Sequence, residues 1–152
     1  MRVVIFALSG KKYSKYIVDT PRVSRLAHGV LPEGQKLQGR TVSHTYIEDN
    51  LIKGVPLHVF ISGIHTIPDP NPWLQFHIHP YDEVILFMGA DPYNIEFLGA
   101  EVEILMGDEK ESYIINKTSG VYIPHGLMHN FIYKRVDKPH FLVGISMSGE
   151  YK

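Results

Sequence analysis

Apolar and polar residues alternate in short runs along most of the chain, and turn-forming residues separate these runs. Alternation with a period of two is typical of β-strands. We place strands near Arg2 to Leu8, Tyr13 to Val18, Val42 to Glu48, Pro56 to Ile64, Trp73 to His79, Glu83 to Met88, Ala100 to Met106, Ser112 to Asn116, Gly120 to Ile123, His129 to Tyr133 and Phe141 to Met147. Helical composition occurs only at Arg22 to His28, inside a long connection from Asp19 to Arg40. The pattern predicts an all-β barrel or sandwich.

Two turn signals refine this picture. Gly107-Asp108 stands between two predicted strands and indicates a hairpin. Pro80-Tyr81-Asp82 follows His79, and proline favours a turn because it cannot donate to a strand ladder. We therefore expect the chain to reverse after His79 and to return from Glu83 onward.

Length and composition fit one globular domain covering residues 1–152. The chain has 44% hydrophobic and 20% charged residues, which is close to the globular average. Its formal charge of -1 leaves no positive excess for a phosphate backbone or an anionic membrane, so we expect no nucleic-acid or membrane partner. Cysteine is absent, which excludes disulfides and thiolate chemistry, and any metal must bind to nitrogen and oxygen.

The first residues carry an apolar run that is shorter than a signal-peptide core and far below the roughly 20 residues of a membrane span. We interpret this run as a strand. No other stretch reaches membrane length, so the sequence predicts a cytoplasmic protein.

Candidate chemistry is concentrated in the segment Phe76-His77-Ile78-His79-Pro80-Tyr81-Asp82-Glu83. Side chains two apart on a strand point to the same face, so His77 and His79 can present two imidazoles together. A three-residue loop after His79 would place Glu83 on that face, and a two-residue loop would place Asp82 there instead. We favour Glu83, with Asp82 as the competing ligand.

A second histidine segment, Pro124-His125-Gly126-Leu127-Met128-His129, ends in a residue that opens a predicted strand. His129 can complete a metal site begun by His77 and His79, whereas His125 fits better as a loop residue. Imidazoles with one carboxylate suit a single divalent transition ion, namely iron, manganese, nickel, zinc or copper. The remaining histidines lack ligand spacing and are assigned no role.

The two segments resemble the motifs of the cupin superfamily. Residues 75–89, from Gln75 to Gly89, are similar to its HxH, Glu and Gly pattern, and residues 120–130 are similar to its PxGxxH pattern. The resemblance implies a cupin-type antiparallel jelly-roll barrel with His77, His79, Glu83 and His129 as metal ligands. Gly120 lies closer to Pro124 than the pattern usually has it.

The resemblance to the cupin motifs also indicates a pocket and a class of function. Strand alternation places Gln75, Phe87, Phe131 and Tyr133 on the face of the ligands, as substrate-pocket candidates. We expect a metal-dependent enzyme acting on a small oxygen-bearing metabolite, of dioxygenase, isomerase or lyase type. The alternatives are a non-catalytic cupin that binds a small molecule as a sensor, and a barrel whose metal only stabilises the fold. Because cupin barrels commonly pair through their sheets, we expect a homodimer, with Met1 to Leu8 adding to a neighbour's edge. The alternative is that this strand closes the sheet of its own chain.

Overall fold

The computed structural model describes residues 11–24, 37–72 and 74–150. Within these ranges the chain is all-β, and its helical content is one 3-10 turn at Ser14–Tyr16. The strands are β1 (Arg22–Ser24), β2 (Gln38–Arg40), β3 (Ser43–Ile47), β4 (His58–Asp69), β5 (Glu83–Gly89), β6 (Ala100–Met106), β7 (Glu111–Ile115), β8 (Ser119–Ile123), β9 (His129–Val136) and β10 (His140–Ser146). In these ranges, no helix has the length and apolar character needed to cross a membrane.

The strands form two antiparallel sheets. The larger sheet has the order β1-β3-β4-β10-β5-β8, and β2 pairs with the distal half of β4. The smaller sheet has the order β7-β6-β9. Because β10 lies between β4 and β5, strands distant in sequence become neighbours, which is typical of a jelly-roll arrangement.

Most predicted strands are confirmed. The β6–β7 hairpin forms across Gly107, which has φ of 76°, as the turn signal indicates. The strand predicted at Tyr13 to Val18 is wrong. The segment contains the 3-10 turn and no strand, because it buries no residue that would hold it against a sheet. Arg22–Ser24 is a strand and not a helix, because it pairs with β3 along its length. The predicted strand at Met1 to Leu8 lies outside the described residues.

The inner faces of the two sheets enclose a hydrophobic core. Its buried side chains come from both sheets and include Ile64, Ile85, Phe87, Leu98, Val102, Ile104, Val121, Ile123, Phe131, Tyr133 and Leu142. Gly144 on β10 leaves space for a large ring, since a Cβ there would collide with the ring of Phe60. The absence of a side chain at Gly144 thus lets the Phe60 ring cross the inner face of the sheet.

His140 is a buried titratable group at the end of the barrel formed by the start of β10. Its Nδ1–H faces the carbonyl of Lys138 at 3.4 Å, and its Nε2 lies 3.1 Å from the Tyr133 hydroxyl, which donates to it. Burial lowers the pKa of His140 below its ordinary value of 6.5. The folded protein therefore favours the neutral form of this imidazole.

We expect stability to fall as the pH decreases below about 6.5, because the unfolded chain then binds a proton at His140 that the folded chain does not. The slope of the unfolding free energy against pH can be measured by urea unfolding between about pH 5 and pH 8, the range in which histidine titrates. His140→Asn should reduce the slope, to which the buried His58 and His77 also contribute because burial lowers their pKa values. His65→Asn, at an exposed position on β4, should leave the slope unchanged. Equal slopes for the wild type and His140→Asn would contradict the assignment.

Candidate metal centre

The two histidine segments are joined by a short backbone ladder. The N–H of His77 donates to the carbonyl of His129 (3.3 Å), and the N–H of His129 donates to the carbonyl of His77 (3.1 Å). The N–H of Gly126 also donates to the carbonyl of His79 at 2.8 Å. These three hydrogen bonds place the HxH segment against the start of β9.

Three imidazoles converge at this junction. The nitrogens that His77, His79 and His129 offer as ligands all lie within 4.8 Å of one another, so the three residues can hold one metal ion. His79 and His129 are 3% and 2% exposed. His77 is half-buried and forms the side of the cluster nearest to solvent.

Hydrogen bonds to the backbone orient two of the three rings. The Nδ1–H of His77 donates to the carbonyl of Gln75 at 2.7 Å, and the Nδ1–H of His129 donates to the carbonyl of Leu127 at 2.9 Å. A carbonyl only accepts, so Nδ1 carries a proton in both rings, and Nε2 is the nitrogen that the neutral imidazole offers to a metal. Burial, the largest influence, lowers the pKa of His77 and favours the neutral imidazole that binds metals.

Glu83 lies against the same cluster. Its Oε2 is 3.3 Å from Nε2 of His79 and 3.5 Å from Nε2 of His129, and the residue is 1% exposed. The hairpin expected between His79 and Glu83 does not form. Glu83 instead opens β5 and pairs with Ser146 and Ile123. Residues 74–79, predicted as part of a strand, form an isolated β-bridge at His77 and no strand.

The donor set fits a cation on electrostatic grounds. Because Nδ1 of His129 bonds to the carbonyl of Leu127, its Nε2 is the ring nitrogen that faces the buried carboxylate of Glu83, at 3.5 Å. Two electron-rich atoms at this distance in a dry interior repel each other unless a proton or a metal cation lies nearby. Three nitrogens and one oxygen are donors that suit a divalent transition ion.

Asp82, the competing ligand, faces a different group of residues. Its carboxylate accepts hydrogen bonds from the Tyr122 hydroxyl and from both the backbone N–H (2.8 Å) and Nδ1–H (3.0 Å) of His125. These bonds, with that of Tyr122 the largest influence, lower the pKa of Asp82 to about 2. Asp82 therefore ties the turn before β5 to the loop that leads to His129.

The substrate-pocket candidates separate into two groups. Phe87, Phe131 and Tyr133 are 0%, 7% and 2% exposed and pack edge to face, with ring centroids 5.7 to 6.4 Å apart. Gln75 is exposed, and its backbone carbonyl holds His77. The three aromatic residues belong to the packed core, and their role as pocket walls stays a prediction.

The structure places further residues beside the cluster. Tyr81 is one that the sequence suggested as a phenol near the metal, although a surface turn was the favoured interpretation, whereas Ser146 and His58 were not predicted there. Tyr81 lies in the turn after His79, yet it is only 8% exposed, and its ring stacks on the His79 ring at 5.0 Å. Ser146 and His58 are buried in the row of the large sheet that also holds Glu83. The signal for Ser146 was present, since it shares the alternation of β10 with buried His140 and Leu142.

No protein-family model and no curated protein sequence matches the chain. Among solved structures, it is similar to a variant of oxalate decarboxylase from B. subtilis in which a tryptophan is replaced by phenylalanine, with a TM-score of 0.54, 11% identity and coverage of 90% of this chain and 29% of that chain. The polyketide cyclase RemF from Streptomyces resistomycificus gives a TM-score of 0.53 at 8% identity, with coverage of 99% and 81%. Fe(II) HppE in complex with substrate gives 0.53 at 12% identity, with coverage of 86% and 58%.

The chain thus spans 58% of HppE and 29% of oxalate decarboxylase. At these identities the similarity concerns the fold, which HppE and oxalate decarboxylase share as cupin-fold proteins. Together with the two antiparallel sheets, it shows that the chain adopts an all-β fold of the cupin type, with a histidine triad that can hold a metal ion.

Proposed function

We propose that His77, His79, His129 and Glu83 bind one divalent transition-metal ion, and that the chain catalyses a reaction on a small oxygen-bearing metabolite. The observation that carries this proposal is the convergence of three imidazoles, two of them buried, with Glu83 Oε2 within 3.5 Å of the ring nitrogens of His79 and His129. The proposed reaction is of dioxygenase, isomerase or lyase type. The proposed ion is iron, manganese, nickel, zinc or copper.

Four protein donors would leave one or two positions on an ion that prefers five or six ligands. A bound ion of this kind polarises a substrate oxygen or lowers the pKa of a coordinated water. The chain itself supplies orientation: the carbonyls of Gln75 and Leu127 fix two rings, and Tyr81 packs against the third. Half-buried His77 gives the site its side toward solvent, where a small molecule would approach.

The alternative is a non-catalytic module that binds a small molecule as a sensor. The packing of the barrel interior supports this alternative, because the aromatic residues on the ligand face are almost fully buried against one another. A site with little free volume would favour binding of a compact ligand over turnover of a large substrate.

Metal analysis of the protein purified without added metal tests the first half of the proposal, with about one ion per chain as the expected content. Oxygen uptake and product analysis with a panel of carboxylates, phenols and sugar acids then test catalysis. Turnover of any compound supports the enzyme. A compound that raises the melting temperature without being converted supports the sensor.

We also propose that the chain forms a homodimer. The outer face of the large sheet presents apolar side chains, including Tyr122, Phe141 and Met147, which are 56%, 41% and 44% exposed. Sedimentation equilibrium tests this proposal, and a mass equal to one chain would contradict it. The cytoplasmic location stays a prediction.

A further inference from the structure

A row of buried polar residues crosses the large sheet at the level of the metal centre. His58 on β4 pairs with Ser146 on β10, and Ser146 pairs with Glu83 on β5. The three residues are 1%, 0% and 1% exposed. A core face normally carries apolar side chains at such positions, so the polar row needs a reason.

The row continues from His58 toward the surface. Nε2 of His58 lies 3.9 Å from Oε2 of Glu48, whose carboxylate is held by Arg22 through two hydrogen bonds of 2.6 and 2.9 Å. His58 is thus flanked on one side by a fixed ion pair and on the other by Ser146. These neighbours define the position of Ser146 between His58 and the proposed metal ligand.

The strand ladder brings the side chains of Ser146 and Glu83 close together. The N–H of Met147 donates to the carbonyl of Asp82 at 2.9 Å, so Met147 and Asp82 form a hydrogen-bonded pair. Hydrogen-bonded and non-hydrogen-bonded pairs alternate along an antiparallel ladder. The next pair, Ser146 and Glu83, is therefore of the non-hydrogen-bonded kind, in which opposite side chains approach most closely.

The Ser146 hydroxyl is also unusual for a buried group. It is fully buried and has no hydrogen-bond partner among the described residues. Ser62, another buried serine of the same sheet, contrasts with it, since its hydroxyl bonds to that of Ser43 at 2.8 Å. A buried hydroxyl without a partner destabilises the fold, which suggests that the partner of Ser146 is recruited in another state of the protein.

We propose that Ser146 is a positioning residue for Glu83, whose carboxylate accepts a hydrogen bond from the Ser146 hydroxyl when the metal is bound. A rotation about the Cα–Cβ bond of serine is enough to aim the hydroxyl at the facing carboxylate. The carboxylate would then ligate through one oxygen and be held through the other. This inference rests on the proposed metal site and adds a residue that supports one of its ligands.

Ser146→Ala, compared with the matched variant Ser62→Ala, tests the inference. For Ser146→Ala we expect Co²⁺ affinity, measured by calorimetric titration, to fall about 10- to 100-fold. Its melting temperature without metal should stay equal or rise, because the variant loses a hydroxyl that had no partner. Ser62→Ala should show the reverse: unchanged Co²⁺ affinity and a lower melting temperature, because it breaks the bond to Ser43.

The visible absorption of bound Co²⁺ gives a second readout, since it reports the ligand geometry. We expect Ser146→Ala to change this spectrum and Ser146→Thr, which keeps the hydroxyl, to restore it. Wild-type affinity and spectrum in Ser146→Ala would overturn the inference while leaving the metal site intact. Failure of the wild type itself to bind any of the five proposed ions would overturn the proposed function, and this inference with it.

Discussion

Replacing His129 by alanine is expected to abolish nearly all metal binding. The residue supplies one of the three converging nitrogens, its Nε2, because its Nδ1–H bonds to the carbonyl of Leu127. Alanine has no donor atom that could replace this nitrogen. Loss of a ligand should exceed the roughly 10- to 100-fold loss of affinity that changes outside the ligand shell cause. Metal content after purification and calorimetric titration with Co²⁺ would measure the effect.

His65→Ala is the matched control, because His65 is exposed on β4 and does not belong to the cluster. It should bind metal as the wild type does. Circular dichroism of both variants shows whether His129→Ala keeps the β fold, since the backbone bridge to His77 does not depend on the side chain. Equal metal content in a folded His129→Ala and in His65→Ala would reject His129 as a ligand.

Replacing Phe87 by alanine is expected to lower the free energy of unfolding by about 3–5 kcal/mol. The ring is 0% exposed and lies against Phe131 and Tyr133, with centroid distances of 5.7 and 6.4 Å. Its removal would create a cavity in the centre of the core. Urea unfolding at neutral pH measures the change.

Tyr93→Ala provides the comparison, since this ring is 99% exposed. It should cost clearly less stability, because the ring already contacts water in the folded protein. A similar, small loss in both variants would mean that the space around Phe87 is open, as for a substrate pocket. The outcome therefore also decides between the core and the pocket interpretation of Phe87.

Most of the strands could be predicted from the sequence because apolar and polar residues alternate regularly along them. In β6, alternate residues from Ala100 to Met106 face the core, and the predicted bounds agree with the observed ones. The hairpin after β6 was likewise local, because glycine at position 107 meets the demand for a positive φ. By contrast, residues 13–18 have strand-like composition, but composition does not show whether another strand lies beside them.

The sequence named the residues that the structure brings together, but it did not predict which strands bring them together. The spacing of His77 and His79 and the resemblance to the cupin motifs identified a possible ligand set, because such signals are carried by nearby residues. Glu83 does lie beside His79, but the predicted hairpin that would join them is wrong. Glu83 reaches the cluster from β5, which lies between β10 and β8. Alternation shows which face a side chain occupies, and leaves open which strand it faces.

Which distant strands pair is therefore decided by the tertiary structure and not by local sequence patterns. The bridge between His77 and His129, the approach of Glu83 to both segments and the placement of Ser146 opposite Glu83 all depend on contacts across many residues. Local patterns establish the β character and the ligand types, because each depends on neighbours along the chain. Only the pairing of the strands and the packing of the two sheets decide which of these side chains share one buried space.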